Sequence, residues 1–215
     1  MDEQLMPPRS PEGPHRPYRM SRRKAAVGET RQRIVAAAFD LHGTIGPSRT
    51  TIRAIADRAG VQRHTVYAHF PDVASLYEAC TVHGIRATGM PEPDAWRDIK
   101  HPRDRLRLAL TELTGWFRTN EQMLSSVLFD VDPTAPPPTG SDAFELRMAS
   151  MLEVLAAGWP VSPERRPLFD AVLGHAVAFT TWLTLAKGGL PDPEVVAVLV
   201  ALVDGVASGL IVAEA

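Results

Sequence analysis

The chain has 215 residues, a formal net charge of −2, 45% hydrophobic and 22% charged residues. This is a globular composition, which excludes a chain disordered throughout or a collagen-like one, and the length suits one large or two modest domains. The single cysteine, Cys80, excludes an internal disulfide, and with no charged-then-apolar leader at the start the expected location is cytoplasmic.

The charge is unevenly spread. Residues 1–15 carry net −2, residues 16–90 carry 12 Lys/Arg against 5 Asp/Glu for net +7, and residues 91–215 carry 10 against 17 for net −7. A basic block followed by an acidic one suits a protein that meets a polyanion at one end only; the alternative is chance clustering on solvated faces.

Pro7, Pro8, Pro11, Pro14 and Pro17 break any apolar periodicity, so residues 1–24 read as a flexible Pro/Arg-rich arm. Its distal residues Arg16, Arg19, Arg22, Arg23 and Lys24 could lie along phosphates or in a minor groove, or serve only as a solubilising tail. From residue 29 to 42, Ile34, Ala37, Ala38 and Leu41 form one helical stripe, which Gly43 and Gly46-Pro47 end. Ile52, Ile55, Ala56 and Ala59 repeat the spacing in a short helix opened by Thr50-Thr51 and stopped by Gly60. Only Gly60 and Val61 separate it from a third helix over residues 62–68, and Pro71-Asp72 starts a fourth carrying Leu76, Ala79 and Cys80.

Pro91, Pro93 and Pro102 mark a linker, after which Leu106, Leu110, Leu113 and Phe117 recur at helical spacing and an apolar segment spans 123–131. Four prolines make 132–140 a loop; Ser141 then caps a helix with Phe144, Met148, Met151, Leu152 and Leu155. One long helix is expected from about Pro167 to Lys187, ended by Gly188-Gly189, and a last one from Asp192-Pro193-Glu194 to about Val212. No segment shows sustained period-two alternation, so the expected class is all-α with about nine helices.

Two short helices joined by a tight glycine turn form a helix-turn-helix pattern, whose second helix enters the major groove. In that second helix Val66 and Phe70 are four apart and can be buried, leaving Gln62, Arg63, Thr65, Tyr67 and His69 to offer hydrogen bonds outward.

The run Thr50-Thr51-Ile52-Arg53-Ala54-Ile55-Ala56-Asp57-Arg58-Ala59-Gly60-Val61, followed by Thr65-Val66-Tyr67-Ala68-His69-Phe70-Pro71, resembles the N-terminal domain of TetR-family transcriptional regulators. The match covers about residues 30–84; the rest is similar only in its all-helical length and in two C-terminal helices suited to dimerisation. The resemblance implies a DNA-binding domain at 25–90 built on three helices, and a helical regulatory and dimerisation domain at 91–215. It further implies a homodimeric repressor, less often an activator, acting on a palindromic operator and answering to a small ligand. By position it implies phosphate contacts at Thr50, Thr51, Tyr67 and His69, a base-reaching place at Arg53, and base-facing places at Gln62, Arg63, His64 and Thr65. In physical terms Arg63 can donate two hydrogen bonds to a guanine edge and Gln62 can pair with adenine. One departure is Val73, where many relatives carry a phosphate-anchoring lysine; the free amides at that helix start could still hold an anion unless Asp72 opposes it.

A ligand site would lie within 103–187, where Trp116, Phe117, Met123, Phe144, Met148, Phe179 and Trp182 are apolar candidates and His175 a rare polar one, against the competing role of core packing. Small residues, Gly174, Ala176 and Ala178 in one helix and Ala197, Ala201, Gly205, Ala207 and Gly209 in the other, suit a four-helix dimer interface. The apolar run 195–213 is long enough to span a membrane, but Asp204 lies in its middle and no Lys or Arg flanks it closely, so no membrane role is expected. No metal spacing, nucleophile elbow, phosphate-binding loop or dinucleotide fingerprint appears, so neither catalysis nor a metal or other cofactor is expected, and a helical enzyme is a remote alternative. The nearer alternative is a DNA-binding regulator controlled by a protein partner, or an activator, with no small-molecule pocket.

Overall fold

The computed structural model describes residues 15–130 and 141–210, and every regular element among them is helical. The expected loop at 132–140, residues 1–14 of the expected arm, and the end of the chain from 211 lie outside the described residues.

Four helices precede residue 90: α1 (His15–Ile45), α2 (Ile52–Ala59), α3 (Arg63–His69) and α4 (Val73–Ala87). Helix α1 corrects the sequence reading, because it begins fourteen residues before residue 29, where the helical pattern was expected to start, and takes in residues 15–24, which were expected as arm. Pro17 is compatible with this: in the first turn a backbone N–H has no helical acceptor, so its absence costs nothing. Ile34, Val35, Ala37 and Ala38 of α1 pack with Ile55, Ala56 and Ala59 of α2, Val66 and Phe70 around α3, and Leu76 and Cys80 of α4 in one closed apolar cluster.

A 3₁₀ turn (Pro93–Trp96) leads to α5 (Pro102–Thr119), α6 (Glu121–Phe129), α7 (Asp142–Ala156), α8 (Arg166–Ala176), α9 (Phe179–Lys187) and α10 (Asp192–Ser208). They enclose a second, larger core built on Leu106, Leu110, Leu113, Met151, Leu155, Phe169, Leu173, Trp182, Leu199 and Val203. The single long helix expected from Pro167 to Lys187 is instead α8 and α9, bent by 61°. The break falls at Val177-Ala178, where Ala178 turns to extended backbone while Val177 and Phe179 both enter the core. No proline or glycine marks the position; burial on both sides of the bend decides it. With the break there are ten α-helices among the described residues, one more than expected.

The last helix stops at Ser208, short of Val212, because Gly209 adopts φ +81 as a left-handed cap. The N-terminus of α10 is tied down by Asp192, whose carboxylate accepts a bidentate pair from Arg118 at 2.7 and 2.6 Å and the Trp182 indole N–H at 3.0 Å. Arg118 above all, with Trp182 adding to it, holds that carboxyl below the usual range against the effect of burial. No single described helix is long and apolar enough to cross a membrane, although the bent pair α8–α9 passes by length and composition. Asp204 on α10 pairs with Arg103 at 3.1 Å.

Candidate nucleic-acid interface

The entry to α2 is set by two threonine hydroxyls. Thr51 is the N-cap, its Oγ1 accepting the Ala54 N–H at 3.1 Å, while Thr50 Oγ1 donates to Gly46 O at 2.7 Å. An N-cap hydroxyl that accepts from the helix keeps its own proton for an outside acceptor, and Thr51 is exposed. At the other end Gly60 takes φ +65, and the Val61 N–H reaches back to Ala56 O at 3.0 Å, so the chain reverses within two residues. A side chain from α1, Arg33, completes the cap by donating to Ala59 O at 3.1 Å.

That turn presents α3 with two distinct faces. Val66 is 0% and Phe70 2% exposed, whereas Gln62, Arg63 and His64 are exposed and Tyr67 is 50% exposed; Thr65 and His69 are half-buried. Gln62 stands at the N-cap in extended conformation without using its amide to cap the helix, which leaves the amide for an external partner. Arg53, expected as a base-reaching residue, is exposed on α2 and makes only a loose pair with Asp57 at 3.7 Å. Thr50, Thr51, Arg53, Gln62, Arg63, His64, Thr65, Tyr67 and His69 therefore lie on one continuous helix-turn-helix, on its solvent-facing or half-buried surface.

Two basic residues escaped the sequence reading. Arg31 of α1 stacks its guanidinium 4.5 Å from the centroid of Phe70, and Arg49, exposed, precedes the cap of α2. The signal for Arg49 was its place directly before Thr50-Thr51; none existed for Arg31, whose partner is 39 positions away. At the start of α4, Val73 is 70% exposed where a lysine was looked for. One first-turn amide there, that of Ser75, is already taken. Asp72 caps the helix by accepting the Ser75 N–H at 2.7 Å, and this bond, joined by the Ser75 side chain, keeps the carboxyl below its usual range. The helix start is thus supplied with its own anion.

In the second core the expected ligand contacts are packed mostly against each other. Phe117, Phe179 and Trp182 form a triangle of rings 5.5 to 5.8 Å apart, and the Trp116 indole donates to Thr88 O at 3.1 Å. Met148 is half-buried beside this core, and Phe144 is exposed. His175, expected as a polar ligand contact, is exposed near the end of α8, with Nδ1 3.3 Å from Thr181 Oγ1. Of the small residues expected at an interface, Ala176, Gly205 and Ala207 are buried within the chain, while Ala197 and Ala201 are exposed and Gly174 is half-exposed. A Cβ on Gly174 would meet no atom within 4 Å.

Among known proteins, residues 34–80 match the family model described as bacterial regulatory proteins, tetR family. No curated protein sequence matches the chain significantly. Among solved structures, a tetR-family transcriptional regulator from Streptomyces coelicolor superposes with a TM-score of 0.59 at 20% identity, covering 86% of this chain and 84% of that one. A TetR-like transcriptional regulator from Rhodococcus sp. RHA1 gives 0.54 at 19%, covering 84% and 96%. A second transcriptional regulator from that organism gives 0.53 at 19%, covering 83% and 96%. These likenesses extend the shared fold through both cores. Helices α2 and α3 lie wholly within the residues 34–80 that match the model of the tetR-family bacterial regulatory proteins, so it is in this domain that the chain is similar to that family.

Proposed function

We propose that the chain is a sequence-specific transcriptional repressor that binds a palindromic operator as a homodimer and releases it when a small molecule binds the C-terminal helices. The observation that carries the DNA-binding part is the two-faced α3: Val66 and Phe70 fix the helix on its domain while Gln62, Arg63, His64 and Tyr67 face outward. Arg63 and Gln62 supply base recognition, each bidentate pair contributing about 1 to 3 kcal/mol of discrimination. Thr50, Thr51, Tyr67 and His69 supply phosphate contacts, while Arg53, His64 and Thr65 stand with Gln62 and Arg63 at base-facing places. In this reading residues 25–90 form the DNA-binding unit and 91–215 the regulatory unit, in keeping with the two separate apolar clusters.

The dimer is assigned to α8 and α10, whose outward small residues Gly174, Ala197 and Ala201 allow a second copy to approach closely. The ligand's apolar contacts would be Trp116, Phe117, Met148, Phe179 and Trp182, and it would act by favouring one spacing of the two α3 helices, a coupling of about 1 to 3 kcal/mol. The close ring packing of Phe117, Phe179 and Trp182 favours a second reading, a regulator controlled by a protein partner. Selection of bound duplexes from a random library tests the core of the proposal. It should return inverted half-sites whose centres lie about one helical turn, or a multiple of it, apart. Release of that duplex by a small-molecule library but not by cell protein selects the first mode of control; the reverse selects the second.

A further inference from the structure

We propose that the cleft between α1 and α4 is a binding site for a small zwitterion, a molecule that carries one carboxylate and one ammonium group. Helices α1 and α4 cross closely at Phe39 and Gly84, where a Cβ added to the glycine would stand 2.8 Å from Phe39 Cε2. On the N-terminal side of that crossing, along α1, opens a cleft of about 590 Å³ lined by Glu29, Gln32, Arg33 and Ala36 of α1 and His83 of α4. Its volume is that of a small-molecule site. At about 100° per residue Glu29, Arg33 and Ala36 fall within about 60° of one another around α1, whereas the buried Ile34 and Ala38 stand about 140° to 180° from Glu29. The cleft therefore lies on the back of the domain formed by α1–α4, the reading-head domain, clear of the outward face of α3.

The side chains around this cleft hold bonding capacity that the fold leaves unused. Glu29 and Arg33 stand four apart, the spacing at which opposite charges pair along a helix, yet they do not pair. Arg33 instead turns Nη1 to Ala59 O at 3.1 Å, at the end of α2. Among the described residues no group pairs with the Glu29 carboxylate, the Gln32 amide, the His83 ring nitrogens, or Nε and Nη2 of Arg33. The His83 ring is nonetheless held in place, edge-on to Phe39 with centroids 5.5 Å apart. One carboxylate and one guanidinium, not neutralising each other, thus face the same space. A polyanion would be repelled by Glu29 and a simple cation by Arg33. A molecule with both signs satisfies both: its ammonium group donates to Glu29, and its carboxylate accepts from Nε and Nη2 of Arg33 and from the Gln32 amide, bonds strengthened by charge. Arg33 can take that carboxylate on one edge of the guanidinium and keep Ala59 O on Nη1, so the occupied site is tied to the turn that places α3.

The test titrates glycylleucine into the full chain at low salt and follows the backbone amide resonances, with N-acetylglycylleucine and glycylleucine amide as blocked probes. Glycylleucine should shift residues 29–36 and His83 saturably, with a dissociation constant in the millimolar range or tighter. Blocking either end should weaken binding about tenfold, the loss of one charge-assisted contact. The variant Glu29→Gln should bind the free and the N-acetylated dipeptide alike while still rejecting the amide, which assigns the ammonium group to Glu29. Glu29 is exposed and unpaired, so the variant keeps the fold, and the comparison of the three probes on the wild type needs no variant at all. No saturable shift, shifts confined to the helices from α5 onward, equal binding of the blocked probes, or a Glu29→Gln chain that still rejects the acetyl group would each overturn the proposal. The titration contains no DNA, so its outcome is separate from that of the function proposed for α3.

Discussion

Asp130, at the C-terminal end of α6, accepts hydrogen bonds from both the backbone N–H and the hydroxyl of Ser48, each at 2.7 Å. This joins a helix of the second core to the loop that positions the cap of α2. The approach is closest at Gly46, which takes φ +88 and where a Cβ would overlap the Asp130 carboxylate. Gly46→Ala should therefore destabilise by well over the ~1 kcal/mol of left-handed backbone alone. Combining it with Asp130→Ala should return the excess. A double-mutant cycle on thermal unfolding reads this directly; additive losses would show that the strain at 46 has nothing to do with Asp130.

Asp130→Ala alone should cost about 1 to 2 kcal/mol, because the Ser48 bonds are charge-assisted but partly exposed. Its larger effect should be on communication. With the strut gone, a perturbation of the C-terminal helices should reach α2 less strongly, so any effector's shift in DNA affinity should shrink while affinity without effector changes little. The check is DNA affinity with and without the effector in both proteins.

Arg63→Ala should relax base preference at one position and cost about 1 to 3 kcal/mol on the selected duplex, with little change on scrambled DNA. Tyr67→Phe should weaken both about equally, as removal of a phosphate partner does. Titrations of both variants on both duplexes separate the two roles. An equal loss for Arg63→Ala would make it a backbone contact.

Cys80 and His42 give the reading-head domain a pH signature. They meet at 3.5 Å between Sγ and Nδ1, and burial pushes the Cys80 thiol up to about 12 and lowers the His42 imidazole pKa against an opposing pull from Asp130. Both groups are thus held neutral in the fold. Below the ordinary imidazole value the unfolded chain binds the extra proton, so stability should fall as the pH drops from about 6.5. Above about 9 the unfolded chain loses the thiol proton first, so stability should fall there too. Cys80→Ala should remove the part of the alkaline limb that starts near 9, leaving the acid limb and the later alkaline loss from Tyr77, whose phenol burial also pushes up, and Cys80 in the native chain should resist iodoacetamide at neutral pH.

Gly174→Trp and Ala201→Trp should leave the fold intact, since both positions face outward and the space beside Gly174 is open. In the proposed dimer they should force the subunits apart, and light scattering should find a monomer with sharply weaker operator binding. A dimer that persists in both variants would place the interface elsewhere.

The first core was legible because each of its boundaries has a local cause: the Thr51 cap, the Gly60 reversal and the Asp72 cap are all decided within four residues. The onset of α1 was not, because residues 15–29 carry no apolar stripe and Pro14 and Pro17 read as breakers, although a proline in a first turn breaks nothing. The bend at Val177-Ala178 and the Asp130–Ser48 link are tertiary, the latter across 82 positions, and leave no local mark. Among the site residues, the exposure of Gln62, Arg63 and Tyr67 at α3 followed from the burial of Val66 and Phe70, and that of Arg53 on α2 from the burial of Ile55, Ala56 and Ala59. The exposure of His175 did not, because apolar neighbours in sequence on a helix need not be neighbours in space.

The central claim is that α3 reads base edges. Its most direct measurement is the affinity of the purified chain for the selected duplex relative to a scrambled duplex of equal length and charge at physiological salt. A ratio of about 10³ or more is predicted, the discrimination typical of specific recognition. A ratio near one, with both duplexes bound alike or neither bound, would contradict it.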